Sequence, residues 1–435
     1  MKVSSRRTSL ILGFEMASGD DLIWAGPAGR RKELCEVVGS ACLNWHTVTE
    51  NTCSKKKWEA PDEQGRVLDP GQFPELNAVF YSADPSEFIK MRIENLALMA
   101  CMDEVLAPAY GSDRPIGDTL HYPATSVPHP KQRHKYVRME AVTIVHHASE
   151  ALLRLYFAHI DYPECPWLGM STSTDFAGFK KQVDDARLAG FDRADIAAIF
   201  LGGADPDDAG IKMGKGKFAE TVEALERLLI ECAKRFLEDS FLYNAVKHGM
   251  TAIDTDAKLK LGNGDKQVRL LDGFVHGYLH QKLHPTATKE DGQWFLSLAD
   301  SNPERDLAVT TVITYALDSL WAVARRRYMG VPGWINCISR ATVDVAIYAP
   351  ICQSENPLCR MTHELIKRKD DGEVDGTDHQ MSIYNIPPEF HLKDSVKRNQ
   401  VRKVELSVRP QDVHTPSGSP TSYLPIVPKG YQQAH

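Results

Sequence analysis

The residues best suited to chemistry lie near the end of a long predicted helix, at residues 243–249, Tyr-Asn-Ala-Val-Lys-His-Gly. Asn244 and His248 are four residues apart, so a helix places them on one face. That face continues an apolar stripe of Leu229, Ala233 and Leu237. An amide and an imidazole that converge on a groove can orient a phosphate or a hydroxyl, and histidine can transfer protons near neutral pH.

The same segment also has a purely structural interpretation. Lys247 and His248 fall in the last turn of the predicted helix, where the helix dipole favours cations. Gly249 is the residue type that most often follows a helix end. The pattern therefore indicates either a polar site or an ordinary helix C-terminus.

Together with the helices predicted around it, this motif resembles the ribonuclease motif of the HEPN superfamily, over about residues 133–250. In that family an Arg is usually followed by a polar residue such as Asn, with His four to six residues beyond the Arg. Asn244 and His248 match the second and last positions, and Tyr243 stands in place of the Arg. The family also often has a Glu followed four residues later by a basic residue on an earlier helix, which Glu150 and Arg154 match.

The resemblance implies a helical bundle, frequently dimeric, of the kind found in RNA cleavage, toxin–antitoxin and defence systems. Cleavage of a phosphodiester needs a fixed positive charge on the phosphate, which Tyr243 cannot supply. We therefore favour a non-catalytic relative, an interaction or nucleic-acid-associated module. The alternative is a divergent, metal-independent endoribonuclease that uses His248 and Asn244, with Arg154 and Glu150 completing the site. The structural interpretation of the Glu150 and Arg154 pair is a surface ion pair.

Histidines 276, 280 and 284 form a second candidate, because imidazole is a good ligand for zinc and similar metals. Residues eight apart are about 12 Å apart along a helix and farther along a strand, so the three cannot bind one ion. At most His276 and His280 could act as a pair, and only on a helix. No Cys or carboxylate completes a set, so neither a metal nor another cofactor is expected.

Hydrophobic periodicity predicts the elements that must position these residues. A firm helix begins at Asp84-Pro85, where Asp84 is a suitable cap. Further helices are expected over about 133–160 and 217–248, from Asn302 to before Gly330, and from Asn356 to about 369, with short strands within 268–300. The predicted fold is α+β and mainly α. The chain is expected to divide into residues 1–107 with one helix, a linker over 108–132, a helical bundle with a small β insertion over 133–330, a helical or mixed segment over 331–370, and an extended polar tail over 371–435.

Composition limits the classes of partner and the compartment. The 435 residues carry a net charge of −7, which excludes a global attraction to nucleic acid or acidic lipid, so binding of RNA would need a local patch. Nine scattered cysteines favour reduced thiols in a cytoplasm over a disulfide framework. The sequence contains no run of about 18 apolar residues, so no membrane-spanning helix is expected. The expected partners are RNA or another protein, with a homodimer as the family expectation.

Overall fold

The structure is a computed structural model that describes residues 70–171, 176–247, 251–263, 266–282, 293–364 and 379–412. After a 3₁₀ turn at Pro70–Gln72, the α-helices are α1 Phe73–Ser82, α2 Pro85–Met99, α3 Asp103–Tyr110, α4 Pro130–Asp161, α5 Pro166–Ser171, α6 Phe176–Ala189, α7 Arg193–Ile196, α8 Pro206–Ala209, α9 Lys215–Glu238, α10 Ser240–Lys247, α11 Pro303–Met329, α12 Arg340–Ser354 and α13 Leu392–Arg398. A π-helical turn, Ala197–Leu201, follows α7, and a second 3₁₀ turn lies at Pro410–Asp412. The strands are β1 Arg114–Ile116, β2 Leu120–Tyr122, β3 Ala252–Asn263, β4 Lys266–Lys282, β5 Gln293–Asp300, β6 Gly333–Ile338, β7 Leu358–Glu364, β8 His379–Ile383 and β9 Val401–Leu406. The predicted α+β, mainly α fold is confirmed.

Helix α4 is the centre of the bundle and packs against α9, α11, α2 and α10. Its buried residues Ile144, Ala148, Leu152 and Leu155 recur every three or four positions, which is the spacing of one helical face. Helix α11 begins where predicted, because the Asn302 side chain accepts a hydrogen bond from the Arg305 N–H over 3.0 Å.

Helix α11 is long and apolar enough to cross a membrane by length and composition alone. However, 67% of its most apolar window is buried inside the protein. That burial is typical of the core helix of a bundle, and its contacts with α4, α12, α1 and α2 provide the surroundings.

The helix predicted over about 217–248 is divided by Asp239 into α9 and α10. Asp239 has φ −95° and ψ 6°, outside the helical region. Its two carboxylate oxygens are held by Arg235 at 3.4 Å and by Arg360 at 2.5 Å. Arg235 belongs to α9 and Arg360 to β7, and no Gly or Pro in the sequence indicates the break at Asp239.

The small β insertion predicted after residue 248 is part of a larger sheet, which also includes strands from later in the chain. Strands β3, β4 and β5 are joined by β7 and β8 from beyond residue 357, in the antiparallel order β3-β4-β5-β7-β8. The helix predicted from Asn356 to about 369 is wrong, since residues 358–364 form β7. Asn356 does not cap a helix, because its Oδ1 accepts a hydrogen bond from the Asp272 N–H over 3.1 Å.

The segments on either side of the bundle contain more structure than the sequence indicated. The N-terminal part of the described chain has α1, α2 and α3 rather than one helix, with Asp84 capping α2 through the Ser86 N–H as predicted. The expected linker over 108–132 includes the β1–β2 hairpin, which turns at Gly117 with φ +63°. Within the segment 331–370, the described residues 331–364 contain β6, α12 and β7.

The stretch expected to be an extended polar tail from residue 371 carries β8, α13 and β9 among its described residues 379–412. Strand β9 pairs with β6 in antiparallel register, and its Val404 and Leu406 are buried. The alternating Val404 and Leu406 pattern spans too few residues to stand out among the polar neighbours. Residues 413–435 lie outside the described part.

Candidate ligand cavity

Three of the four predicted motif residues can be placed, and they lie on two helices. Asn244 is exposed on α10, and within the described residues its side chain makes no hydrogen bond. On α4, Arg154 Nε donates to Glu150 Oε1 over 2.8 Å, and the guanidinium carbon lies 4.1 Å from the centre of the Phe179 ring. The charge of Arg154 is therefore already engaged. His248 lies outside the described residues.

Tyr243, at the position of the family's Arg, is an ordered part of the contact between α10 and α4. Its ring stacks on His146 with centroids 3.9 Å apart, and its hydroxyl lies 2.6 Å from His147 Nε2. Arg92 lies 3.1 Å from His147 Nδ1. Because a guanidinium only donates, Nδ1 accepts, and a neutral His147 carries its proton on Nε2 and donates to Tyr243.

His276 and His280 lie on strand β4, where four residues span about 13 Å. Burial of His276 lowers its pKa to about 4, and its Nδ1 lies 3.8 Å from Asp254 Oδ1. Among the described residues, no group of three His, Cys, Asp or Glu side chains is arranged to hold a metal ion. His284 is outside that part of the chain.

A cavity of about 660 Å³ lies between the bundle and the five-stranded sheet. One wall comes from α4, α9, α10 and the first turn of α11, and the other from β4, β5, β7 and β8. Its volume lies within the range of pockets that bind small molecules, roughly 300 to 1,000 Å³.

Three arginines from distant parts of the chain converge on this cavity. Arg235 pairs with Glu231 at 3.0 Å and with Asp306 at 3.0 Å. Arg305 pairs with Glu231 at 3.1 Å and lies over the Tyr384 ring at 4.9 Å.

Arg360, the third, donates to Asp239 Oδ1 over 2.5 Å and to the Glu238 carbonyl over 3.0 Å. Arg235 and Arg305 are more than nine-tenths buried. The three guanidinium groups are thus fixed in place by carboxylates and a carbonyl before any ligand arrives.

Each arginine nevertheless keeps one buried nitrogen without a hydrogen-bond acceptor in the described part of the chain. These atoms are Arg235 Nη2, Arg305 Nε and Arg360 Nε. Leaving a buried charged donor unsatisfied costs at least about 1 to 3 kcal/mol, so such groups are rare unless something else binds them. All three arginines belong to residues that line the same cavity.

Asp300 lies beside the arginines at the end of β5. Burial raises the pKa of its carboxyl to about 6, against hydrogen bonds from Tyr384 at 3.1 Å and Asn356 at 3.4 Å that lower it. Burial also raises the pKa of the Tyr384 hydroxyl, so it stays a donor. Below about pH 6 the Asp300 carboxyl can itself donate a proton in a hydrogen bond.

None of these residues was singled out from the sequence. Arg235, Arg305 and Arg360 are separated by 55 residues or more, and each has an ordinary helical or strand context. Only the pairing of β5 with β7 brings Arg360 opposite Ala299 and near the start of α11. No short motif carries that information.

A search of known protein-family models, curated protein sequences and solved structures finds no match for this chain.

Proposed function

We propose that this protein binds a small anionic molecule in the cavity between the bundle and the sheet. The observation that carries the proposal is the convergence of three arginine side chains, those of Arg235, Arg305 and Arg360, on the lining of one cavity, each with a buried nitrogen that lacks an acceptor among the described residues. A phosphate or carboxylate oxygen can accept several N–H groups at once, in charge-assisted hydrogen bonds.

The charges of the cavity favour a ligand that accepts hydrogen bonds over a free cation. The carboxylates of Glu231, Asp239 and Asp306 already face guanidinium groups, so they offer a cation little uncompensated negative charge. Asp300, with its pKa raised to about 6, is mostly ionised near physiological pH, and its carboxylate accepts hydrogen bonds from the Tyr384 hydroxyl and the Asn356 amide. The cavity therefore offers a ligand the donors of its arginines beside carboxylates that are already engaged.

The test is titration calorimetry with inorganic phosphate, pyrophosphate and malonate. Binding of at least one anion is expected, and Arg360→Gln should weaken it tenfold or more, since a charge-assisted hydrogen bond contributes about 1.5 to 3 kcal/mol. The matched control is Arg269→Gln, whose arginine is 44% exposed and pairs with Glu355 away from the cavity. Equal affinity in both variants, or no binding of any anion, would contradict the proposal.

A second proposal follows from the resemblance, that of a non-catalytic HEPN-like interaction or nucleic-acid-associated module. It is favoured by Tyr243, whose ring and hydroxyl are engaged by His146 and His147, and by Arg154, whose charge is engaged by Glu150. The cytoplasmic location, the RNA or protein partner and the homodimer stay predictions.

The corresponding prediction is that purified protein does not cleave RNA in the absence of metal. Asn244→Ala should change the free energy of unfolding by less than about 0.5 kcal/mol, because the side chain is exposed. Gel analysis of single-stranded and hairpin RNA, with His248→Ala alongside, provides the measurement. Cleavage that is lost in His248→Ala would instead support the divergent endoribonuclease.

A further inference from the structure

The chemical character of the side chains on the sheet wall of the cavity changes along the strand direction. Its register defines three rows of facing residues, each two residues from the next. The first row pairs His280 with Phe295, and the third places Arg360 beside Ala299. Because strands rise about 3.3 Å per residue, the first and third rows are about 13 Å apart.

The first row forms an aromatic end of the cavity with a contribution from α10. Phe241 stacks on His280 with centroids 4.6 Å apart, and His280 stacks on Phe295 at 5.4 Å. All three rings line the cavity, and Phe241 is 43% exposed. An exposed aromatic face at the edge of a polar cavity is suited to stacking a planar ring.

The middle row is made of hydroxyl and amide groups. Ser297 Oγ lies 2.8 Å from Thr362 Oγ1 and 2.9 Å from His280 Nε2, and it is fully buried. Gln380 pairs with Thr362 in the register and lines the cavity beside it. Thr362 is only partly buried and Gln380 is exposed, so their neutral donors and acceptors match the hydroxyl groups of a sugar.

The third row is the cationic end, where Arg360 meets Arg235 and Arg305 from the helices. Along one wall, the order is therefore aromatic, hydroxyl and cationic. A planar base, a sugar and a phosphate are arranged in the same order in a nucleotide.

We infer that the anionic ligand of this cavity is a nucleotide, with its base on Phe241, its sugar over Thr362 and Gln380, and its phosphate at the three arginines. This inference rests on the proposed function, since it assigns the phosphate to the same three arginines. It adds the base and the sugar, which no simple anion requires.

The test is titration calorimetry with adenosine 5′-monophosphate, ribose 5-phosphate and inorganic phosphate on the full chain. Affinity is expected to rise in the order phosphate, ribose 5-phosphate, adenosine monophosphate. Phe241→Ala should weaken adenosine monophosphate about tenfold and leave ribose 5-phosphate unchanged, because only the base loses its stacking partner.

The matched control is Trp294→Ala. Trp294 is 51% exposed and precedes Phe295 on β5, so it faces away from the cavity, and its removal should leave all three affinities unchanged. If phosphate binds and adenosine monophosphate binds no tighter, the nucleotide inference fails and the anion site stands. The nucleotide inference also fails if Phe241→Ala weakens adenosine monophosphate and ribose 5-phosphate by the same factor. If no probe binds, both proposals fail together.

Discussion

Lowering the pH from 7.5 to 5 should reduce the free energy of unfolding of this protein by roughly 4 to 5 kcal/mol. Burial lowers the pKa of His146 to about 4, of His159 to about 3 and of His276 to about 4. In the unfolded chain each imidazole titrates near about 6.5. The unfolded state therefore binds more protons as the pH falls from about 6.5 towards 4.

The sign follows directly from that difference. A histidine whose folded pKa is depressed is neutral in the native protein at pH 5 but charged in the unfolded chain, so acid favours unfolding. Each of the three contributes a loss of about 2 kcal/mol at pH 5. Asp300 acts in the opposite direction, because its raised folded pKa of about 6 makes the native state bind a proton in the same interval. Its gain of about 1 kcal/mol offsets part of the loss.

Urea unfolding at pH 7.5 and pH 5 measures the difference. His276→Leu should reduce the pH-dependent loss by about 2 kcal/mol, since the His276 ring is almost fully buried and its ring nitrogens make no hydrogen bond among the described residues. The control is His134→Gln, an exposed position on α4, which should keep the wild-type loss. Equal unfolding free energies at the two pH values would contradict the neutral, buried state of these histidines.

The hydrophobic periodicity of the sequence was sufficient to predict the main helices of the bundle. Helices α4 and α11 bury apolar residues at every third or fourth position, and their starts at Pro130 and Pro303 carry the residue favoured in the first turn. Such helices are determined by short-range patterns. That is why their existence could be predicted from one sequence.

The sheet and the cavity depend on contacts that no local pattern contains. Strand β7 follows an Asn-Pro pair that is typical of a helix start, yet Asn356 bonds to the backbone of Asp272, 84 residues away. Arg360 acquires its role only when β7 pairs with β5. Both β7 and the cavity arginines escaped prediction because they depend on such long-range pairing.

Arg326, in the run of three arginines at residues 325–327, also has a role that the local sequence does not reveal. A basic residue near a helix end is adequately explained by the helix dipole, and the sequence indicated nothing more. The structure instead buries Arg326 almost completely, with 1% of its surface exposed. Its Nη1 donates to the Ala209 carbonyl over 2.6 Å and its Nη2 to the Gly202 carbonyl over 2.8 Å.

The same guanidinium anchors the C-terminal part of the described chain. Arg326 Nε lies 3.3 Å from Asp412 Oδ2, and Arg409 pairs with Asp412 at 2.9 Å while donating to the Gly202 carbonyl over 3.0 Å. The positive φ of Gly202, +86°, turns that carbonyl towards both arginines, and a Cβ there would collide with Arg326. Arg326 thus connects α11, the turns around α8 and the segment after β9.

Replacing Arg326 by Met should lower the free energy of unfolding by about 3 to 5 kcal/mol, the usual cost of breaking a buried, hydrogen-bonded charge pair. Met fills similar space but cannot donate, so the Ala209 carbonyl is left buried without its partner. Urea unfolding at pH 7.5 measures the loss. Native-state amide exchange should show faster opening of residues 401–406, whose strand is next to the released segment.

The control for this substitution is Arg193→Met. The Arg193 side chain is 63% exposed and pairs with Glu226 at 2.7 Å, so its loss should cost no more than about 1 kcal/mol. Asp412→Asn should cost less than Arg326→Met, because the two carbonyls keep their donors. If Arg326→Met is as mild as Arg193→Met, the buried guanidinium does not hold the C-terminal segment. A large loss of unfolding free energy in Arg326→Met without faster amide exchange in β9 would mean that Arg326 stabilises only the turns at Ala209 and Gly202.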